Sequence, residues 1–475
     1  MAAAAPTRHA GDADSMPPWF RDAKLGIFVH WGAYSVPGWA VPLGELGAVD
    51  PDEFFVRAPY AEWYANTIRI PGSPAARHHE RVHHGAPYDD FLDGWHAERF
   101  DPAGWAELFR SIGARYVVLT TKHHDGICLW DAPGTGDRNT VHRGPRRDLV
   151  GELSEAVRAA GLRFGAYYSG GLDWSRGDFP PISADEHLAT YRPVDDDYAR
   201  YAGRHVEDLI ARYAPDVLWN DINWPDAGKP RLPELFDGYY RAVPEGVVND
   251  RWGIAEADYL TSEYSAHREN ESTGRAWEHN RGIGYSFGYN REEAAEHRLT
   301  GPALIRHFVD VVVRGGNLLL NVGPRADGSI PEPQRRPLAE LGAWLAVNGE
   351  AVFGTRPWAG PAGPNPAGPN PAGPNPAGPN PAGPNPATSG PGGPGRLGFT
   401  GAGSRLYAHL DGEGPAVTLP LSTSDVGDRP AVELLGHGPI GSRWGPGGLG
   451  CELPPPTGDS PRVLRIDRDS KGRHA

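Results

Sequence analysis

The apolar run DVLWND ends in Asp221 and the run YLTSEY carries Glu263 near its end, so two acids would stand at the C-terminal ends of two strands. A lone Asp after a strand is most simply a turn or cap residue. A carboxylate between Trp219 and Trp224 is costly, however, unless it is hydrogen-bonded or needed for chemistry. Paired carboxylates at neighbouring strand ends are what glycoside hydrolysis uses: one attacks or steadies the anomeric carbon, and the other passes a proton. In a retaining enzyme the two lie about 5–5.5 Å apart, a gap that adjacent strands can supply. Burial against indole raises the proton affinity of an acid, and hydrogen bonds from amides or from Arg251 lower it. Such differences can divide the pair into a nucleophile and an acid.

Three histidines, His30, His123 and His124, end other apolar runs and collect on the same predicted face, where they suit sugar hydroxyls. A metal is not expected, because adjacent histidines on a strand point to opposite faces and no HExxH spacing occurs. No cofactor is expected either. GIGYSFG has GxGxxxG spacing inside a strand-like run instead of opening a helix, and neither a GxSxG elbow nor a Walker sequence is present. Lys and Arg number 46 against 60 Asp and Glu, which disfavours nucleic acid or an anionic membrane as partner. Cys128 and Cys451 lie far apart without CxxC company, and no run is long enough to span a bilayer. The N-terminal stretch has no apolar core of the signal-peptide kind, so a soluble cytoplasmic protein is expected. Fifteen Trp and eighteen Tyr are mostly core material, but such rings also stack on pyranose faces.

Eight short runs must position these groups: GIFVHWG, RYVVLTTKHHD, RFGAYYSGG, DVLWND, GVVNDRW, YLTSEY, IGYSFGYN and NLLLNVGP. Between them lie segments of helical period such as DPAGWAELFRSIG and GPALIRHFVDVVVRGG. Strands alternating with amphipathic helices call for a parallel sheet, and eight of them suggest a (β/α)8-type, TIM-like barrel, whose C-terminal strand ends share one face. The segment from Gly253 to Asp258 is too short for a full helical unit, so a distorted barrel is expected. The domain reading is a flexible N-terminus over 1–16, a catalytic barrel over 17–350, a Pro/Gly/Asn-rich linker over 361–395 and a small β-sandwich over 396–475. Within the linker, GPNPA repeats five times, which forbids helix and ladder alike. The sandwich rests on RLYAHL, AVTLPL, AVELLG and RVLRID.

The motifs GIFVHWGAYSVP, APYAEWY, LTTKHHDGICLW, RGPRRDLVG, AYYSGGLDW, VLWND, VNDRWG, RGIGYSFGYN and GGNLLLNVGPRADG resemble, in order, those of the retaining α-L-fucosidases of glycoside hydrolase family 29. The resemblance covers roughly Pro18 to Trp358 and leaves out the GPNPA array. It implies that Asp221 is the nucleophile and Glu263 the acid/base, acting on terminal α-L-fucose without metal or cofactor. It also implies that His30, Glu62, Trp63, His123, His124, Tyr168, Trp219 and Arg251 hold the ring and its hydroxyls. Phe28 and Phe287 would pack on the C5 methyl group. The partner would be a fucosylated glycan or small fucoside, and a homo-oligomer is left open. A sugar-binding protein without catalysis, or a related α-L-galactosidase or transfucosidase, is the alternative.

Overall fold

The computed structural model describes residues 16–264, 274–358, 397–412 and 414–468. The linker expected over 361–395 lies outside the described residues, as do residues 1–15 of the expected flexible N-terminus. Met16, assigned to that terminus, is buried in the core.

Eight parallel strands form one sheet: β1 Leu25–Val29, β2 Tyr116–Lys122, β3 Arg163–Ser169, β4 Val217–Asp221, β5 Val247–Val248, β6 Tyr259–Glu263, β7 Ala276–Gly282 and β8 Asn317–Val322. The order β5-β4-β3-β2-β1-β8-β7-β6 leaves β5 and β6 at the two edges. A single bridge, Asn249 to Tyr259, draws these edges together and closes the barrel. No helix lies between β5 and β6, which is the distortion expected around Gly253 to Asp258.

The helices begin where the sequence signals them. Asp101 accepts from the Gly104 amide ahead of Pro102–Ser111, and Asp148, Asp195 and Thr300 cap Leu149–Ala159, Asp196–Tyr213 and Gly301–Val313 in the same way. Each satisfies a backbone donor that the helix cannot satisfy itself. These helices cover the outer face, where Leu119, Phe164, Leu218 and Leu320 meet Phe109, Leu153, Val206 and Phe308 in one core. The barrel interior is filled by Tyr116, Val118, Trp219, Tyr259 and Leu319. The short helix Pro18–Ala23 plugs the bottom, with the Phe20 ring 4.5 Å from Tyr259. The open end of the barrel is thereby its C-terminal face.

One strand departs from expectation. The seventh is AWEHNRG, and IGYSFGYN (residues 283–290) forms the loop that follows it. Its polar residues Glu278, His279, Asn280 and Arg281 are nonetheless all buried: β7 lies between β6 and β8, Glu278 turns into the barrel against Tyr116 and Trp219, and His279 turns outward against His307.

The chain leaves the barrel through Glu332–Asn348 and reaches β9 Arg356–Pro357, which already pairs with the second domain. That domain adds β10 Leu397–Ala402, β11 Arg405–Leu410, β12 Ala416–Leu419, β13 Ala431–Leu434, β14 Gly438–Pro439, β15 Ser442–Gly445, β16 Gly448–Glu452 and β17 Arg462–Asp467. A six-stranded sheet, β14-β13-β17-β11-β10-β9, packs on a three-stranded one, β12-β16-β15, around Leu406, Leu419, Leu449, Leu464 and Ile466. This is the expected β-sandwich. It docks on the barrel through Trp344 Nε1 donating to the Pro461 carbonyl at 2.7 Å and Thr400 Oγ1 to that of Ala351 at 2.7 Å.

Candidate active site

Strand alternation decides which side chains reach the cup at the barrel mouth. On β4, Val217 and Trp219 point inward, so Asp221 does too. Its side chain accepts from Tyr167 Oη at 2.8 Å, from its neighbour's amide, Ile222 N, at 3.0 Å and from Arg251 Nη1 at 3.0 Å. All three partners are donors, so Asp221 serves as an acceptor here. Glu263, at the end of β6, accepts from Tyr60 Oη at 3.0 Å and from Arg251 Nη2 at 3.2 Å. One guanidinium therefore spans the gap between the two acids. Arg251 is itself fixed by Thr261 Oγ1 at 3.0 Å and by the face of Trp219, 4.7 Å from its centre. Burial holds the Glu263 carboxyl above its usual range, with Arg251 working against the rise.

The residue after each acid is left-handed. Ile222 has φ 54° and Tyr264 has φ 48°. For a β-branched residue such as Ile222 this is a strained conformation, of the kind kept where it aims a functional group. It also brings the Ile222 carbonyl so close to Gly171 that a Cβ there would lie 1.6 Å from it, which is why only glycine fits.

The histidines face the acids from β1 and β2. Asn321 donates to the Phe287 carbonyl at 2.6 Å, which leaves its Oδ1 to accept from His30 Nδ1 at 2.7 Å. Ser169 donates to the Leu172 carbonyl at 2.8 Å, so its oxygen accepts from His124 Nδ1 at 2.6 Å. Burial lowers the pKa of His30 to about 3, with Asn321 opposing, and that of His124 to about 4, with Asp221 opposing. Both rings are thus neutral at pH 7 with the proton on Nδ1, a tautomer inferred from these networks. Their Nε2 atoms are left as acceptors. His124 Nε2 lies 3.9 Å from Asp221 Oδ2, and two acceptors so placed fit a hydroxyl donor between them. Adjacent histidines were expected to diverge. Instead β2 ends at Lys122 after a register shift past Thr120, and the His123 and His124 rings lie 4.0 Å apart. His123 Nδ1 has no partner among the described residues.

The remaining walls are aromatic. Trp219 and Tyr167 stack at 5.5 Å as the floor, and Glu278 of β7 accepts from Trp219 Nε1 at 2.9 Å beneath it. Trp63 stands 5.4 Å from His124, and Phe287 stands 4.9 Å from His30. Glu62 accepts from the Gly288 amide at 2.7 Å and from Ser286 Oγ at 3.2 Å, so it ties down the loop that carries Phe287. Burial pushes its carboxyl up to about 7, with those hydrogen bonds opposing.

Two expectations are corrected. Tyr168 does not reach the cup: it points outward, packs beside Lys122 and bonds His205 Nδ1 at 3.1 Å. Alternation puts its neighbour Tyr167 in the site instead, in register with Trp219. Phe28 has 0 % of its surface exposed, so it supports the floor from below, 5.1 Å from Trp219, rather than lining the cup. Tyr60, Tyr167, Asn321 and Glu278 were not singled out from the sequence. Counting back by two from Asp221 in the parallel register finds Tyr167; the others lie on elements whose paths only the fold shows. Among the described residues no cluster of His, Cys, Asp and Glu is placed to hold a metal ion.

A family model for alpha-L-fucosidase matches residues 2–350. The alpha-L-fucosidase of Dictyostelium discoideum is 34% identical over 366 residues, 74% of this chain and 75% of its own. Human tissue alpha-L-fucosidase is 33% identical over 366 residues, covering 73% of this chain and 71% of its own. Among solved structures, an alpha-L-fucosynthase of Thermotoga maritima superposes with a TM-score of 0.83 at 41% identity, over 97% of this chain and 100% of the other. The alpha-fucosidase of the same organism in complex with fucose gives 0.80 at 41% identity, with the same coverage. The barrel with its paired acids and the similarity across most of the chain lead to one conclusion: this chain belongs to the α-L-fucosidase family, glycoside hydrolase family 29.

Proposed function

We propose that the protein is an exo-acting α-L-fucosidase that releases terminal α-L-fucose with net retention, with Asp221 as nucleophile and Glu263 as acid/base. The observation that carries this reading is the Arg251 bridge, which holds two acids of different surroundings beside one another. In the first step an Asp221 oxygen bonds to the anomeric carbon as the bond to the leaving oxygen breaks, and Glu263 gives that oxygen its proton. In the second, Glu263 takes a proton from water, the water oxygen bonds to the anomeric carbon and the bond to Asp221 breaks. Two inversions give retention.

The neutral rings of His30 and His124 accept from sugar hydroxyls through Nε2. Turnover of an aryl α-L-fucoside with α-fucose as the first product, followed by NMR, tests the reading. Binding of fucose without release of the aryl group would reject it in favour of a lectin.

Tyr167 and Tyr168 make a paired test. Tyr167→Phe removes a hydrogen bond to the proposed nucleophile and should lower kcat about tenfold or more, the effect of losing one bond to a charged group. Tyr168→Phe should leave kcat unchanged and cost about 1 kcal/mol of stability. Steady-state kinetics beside thermal melts separates the two.

The methyl pocket now rests on Phe287. Phe287→Ala should narrow the preference for fucosides over L-galactosides by about 1–3 kcal/mol, the reach of one methyl-sized contact. Phe28→Ala should instead lower stability by about 3–5 kcal/mol, as a large core truncation does, with the ratio of kcat/KM values for the two sugars nearly unaltered.

A further inference from the structure

Asn220 stands directly before Asp221 on β4 and, by strand alternation, faces away from the cup; it is fully buried. Its Nδ2 donates to the Asn223 carbonyl at 2.8 Å and to the Arg251 carbonyl at 2.7 Å. Both partners can only accept, so the nitrogen end of the amide must face them. We propose that Asn220 is a positioning residue: by clamping these two carbonyls it holds Asp221 and the Arg251 guanidinium in reacting alignment without touching the sugar. The inference rests on the fucosidase reading of the cup.

The chain on both sides of the clamp needs holding. After Asp221 two residues in a row are left-handed, Ile222 at φ 54° and Asn223 at φ 64°. Asn tolerates that region and Ile does not, and such strain persists only where the surroundings over-determine it. Here the Asn220 amide grips the Asn223 carbonyl, Arg192 Nη1 donates to the Ile222 carbonyl at 3.1 Å, and the Gly171 amide donates to the Asp221 carbonyl at 3.1 Å. Gly170 makes room for the clamp, since a Cβ there would lie 2.2 Å from Asn220 Oδ1 and 2.5 Å from the Trp224 ring. On the other side, the β4–β5 ladder ends at Val248. Asn249 adds one more rung with its side chain: Oδ1 accepts from the Asn220 amide at 3.1 Å, and Nδ2 donates to the Asn220 carbonyl at 2.9 Å. Beyond that rung the Asn220 side chain ties the Arg251 backbone to β4. Thr261 and the two acids fix the tip of the arginine; Asn220 fixes the point from which it reaches. One amide therefore puts the nucleophile loop and the arginine in a common frame.

The test compares the full chain with Asn220→Ala and with Asn220→Asp, which keeps the shape but turns a carboxyl oxygen toward the two carbonyls. On an aryl α-L-fucoside each variant should lower kcat by about 10²-fold with KM nearly unchanged, the cost of displacing reacting groups by roughly an ångström while His30 and His124 stay in place. The alkaline limb of kcat/KM should move to higher pH. The sign follows from the groups facing Glu263: Arg251 lowers its pKa, Asp221 raises it, and Tyr60, Tyr264 and Glu62 are left where they are. Release of Arg251 removes the lowering influence, and the carboxyl of Asn220→Asp acts in the same direction. A loss of thermal stability alone moves neither the limb nor the split between kcat and KM. Crystal structures of the variants read the clamp without turnover: Arg251 withdrawn from either acid, or Ile222 out of the left-handed region, supports it. Normal kcat, an unmoved alkaline limb, or an unmoved Arg251 and Ile222 would overturn the proposal. If neither variant folds, Asn220 is a residue of the fold and the proposal is rejected. If the unaltered chain turns over no fucoside, the fucosidase reading fails, and the crystal structures alone decide the clamp.

Discussion

Asp221→Gly should fold and lose turnover of an aryl α-L-fucoside by about 10⁴-fold or more, the scale seen when a covalent nucleophile is removed. Folding should survive because Arg251, the most exposed to loss of a partner, keeps Glu263, Thr261 and Asn280. The Tyr167 hydroxyl loses its acceptor, at a cost of about 1–3 kcal/mol. The vacated volume lies beside the anomeric carbon, so azide can enter it. With an activated fucoside, azide should displace the leaving group in one inversion and give β-fucosyl azide, identified by its anomeric coupling constant. Near-normal turnover in this variant would return Asp221 to the role of a turn residue.

Glu263→Ala should act on the leaving group instead. An aryl group of low basicity departs without protonation, so its release should slow little, while a sugar leaving group should slow by about 10²–10⁴-fold, the usual worth of general acid catalysis. Azide then meets the covalent intermediate and yields α-fucosyl azide, the opposite anomer. The pH profile supplies a second reading of the same residue. Burial raises the Glu263 pKa, so its proton is retained to higher pH and activity falls on the alkaline side as that proton is lost. The alanine variant should lack this alkaline limb. The same anomer from both variants would overturn both assignments.

The barrel, its distortion and the sandwich could be inferred from the sequence because they follow from period and punctuation: short apolar runs, segments of helical period between them, and a stretch near Gly253 too short for a helix. Asp221 and Glu263 could be seen for the same reason, since the end of a strand is visible in sequence. What escaped was whatever depends on facing. Tyr167 and Tyr168 are chemically identical neighbours, and only the pleat, fixed by the pairing of Tyr167 with Trp219, sends one to the cup and the other to His205. The seventh strand was hidden by its own polarity. Glu278 belongs in a barrel interior only because the Tyr116 hydroxyl and the Trp219 indole are there to meet it, and those contacts come from distant strands. Phe28 could not be told from a pocket residue until the floor above it was known.

The barrel has a clasp. Seven junctions between its strands are ladders, and the eighth, between β5 and β6, is one bridge at Asn249. Directly above that gap sits Arg251, reaching Asp221 on one side and Thr261 and Glu263 on the other. The hoop is therefore fastened by the arginine that joins the two acids. A sugar lodged against both acids adds a further stitch across the weakest seam, so occupancy and mechanical integrity become coupled quantities. Local opening of an empty barrel would begin where the chemistry is done, and heat inactivation would outrun global unfolding.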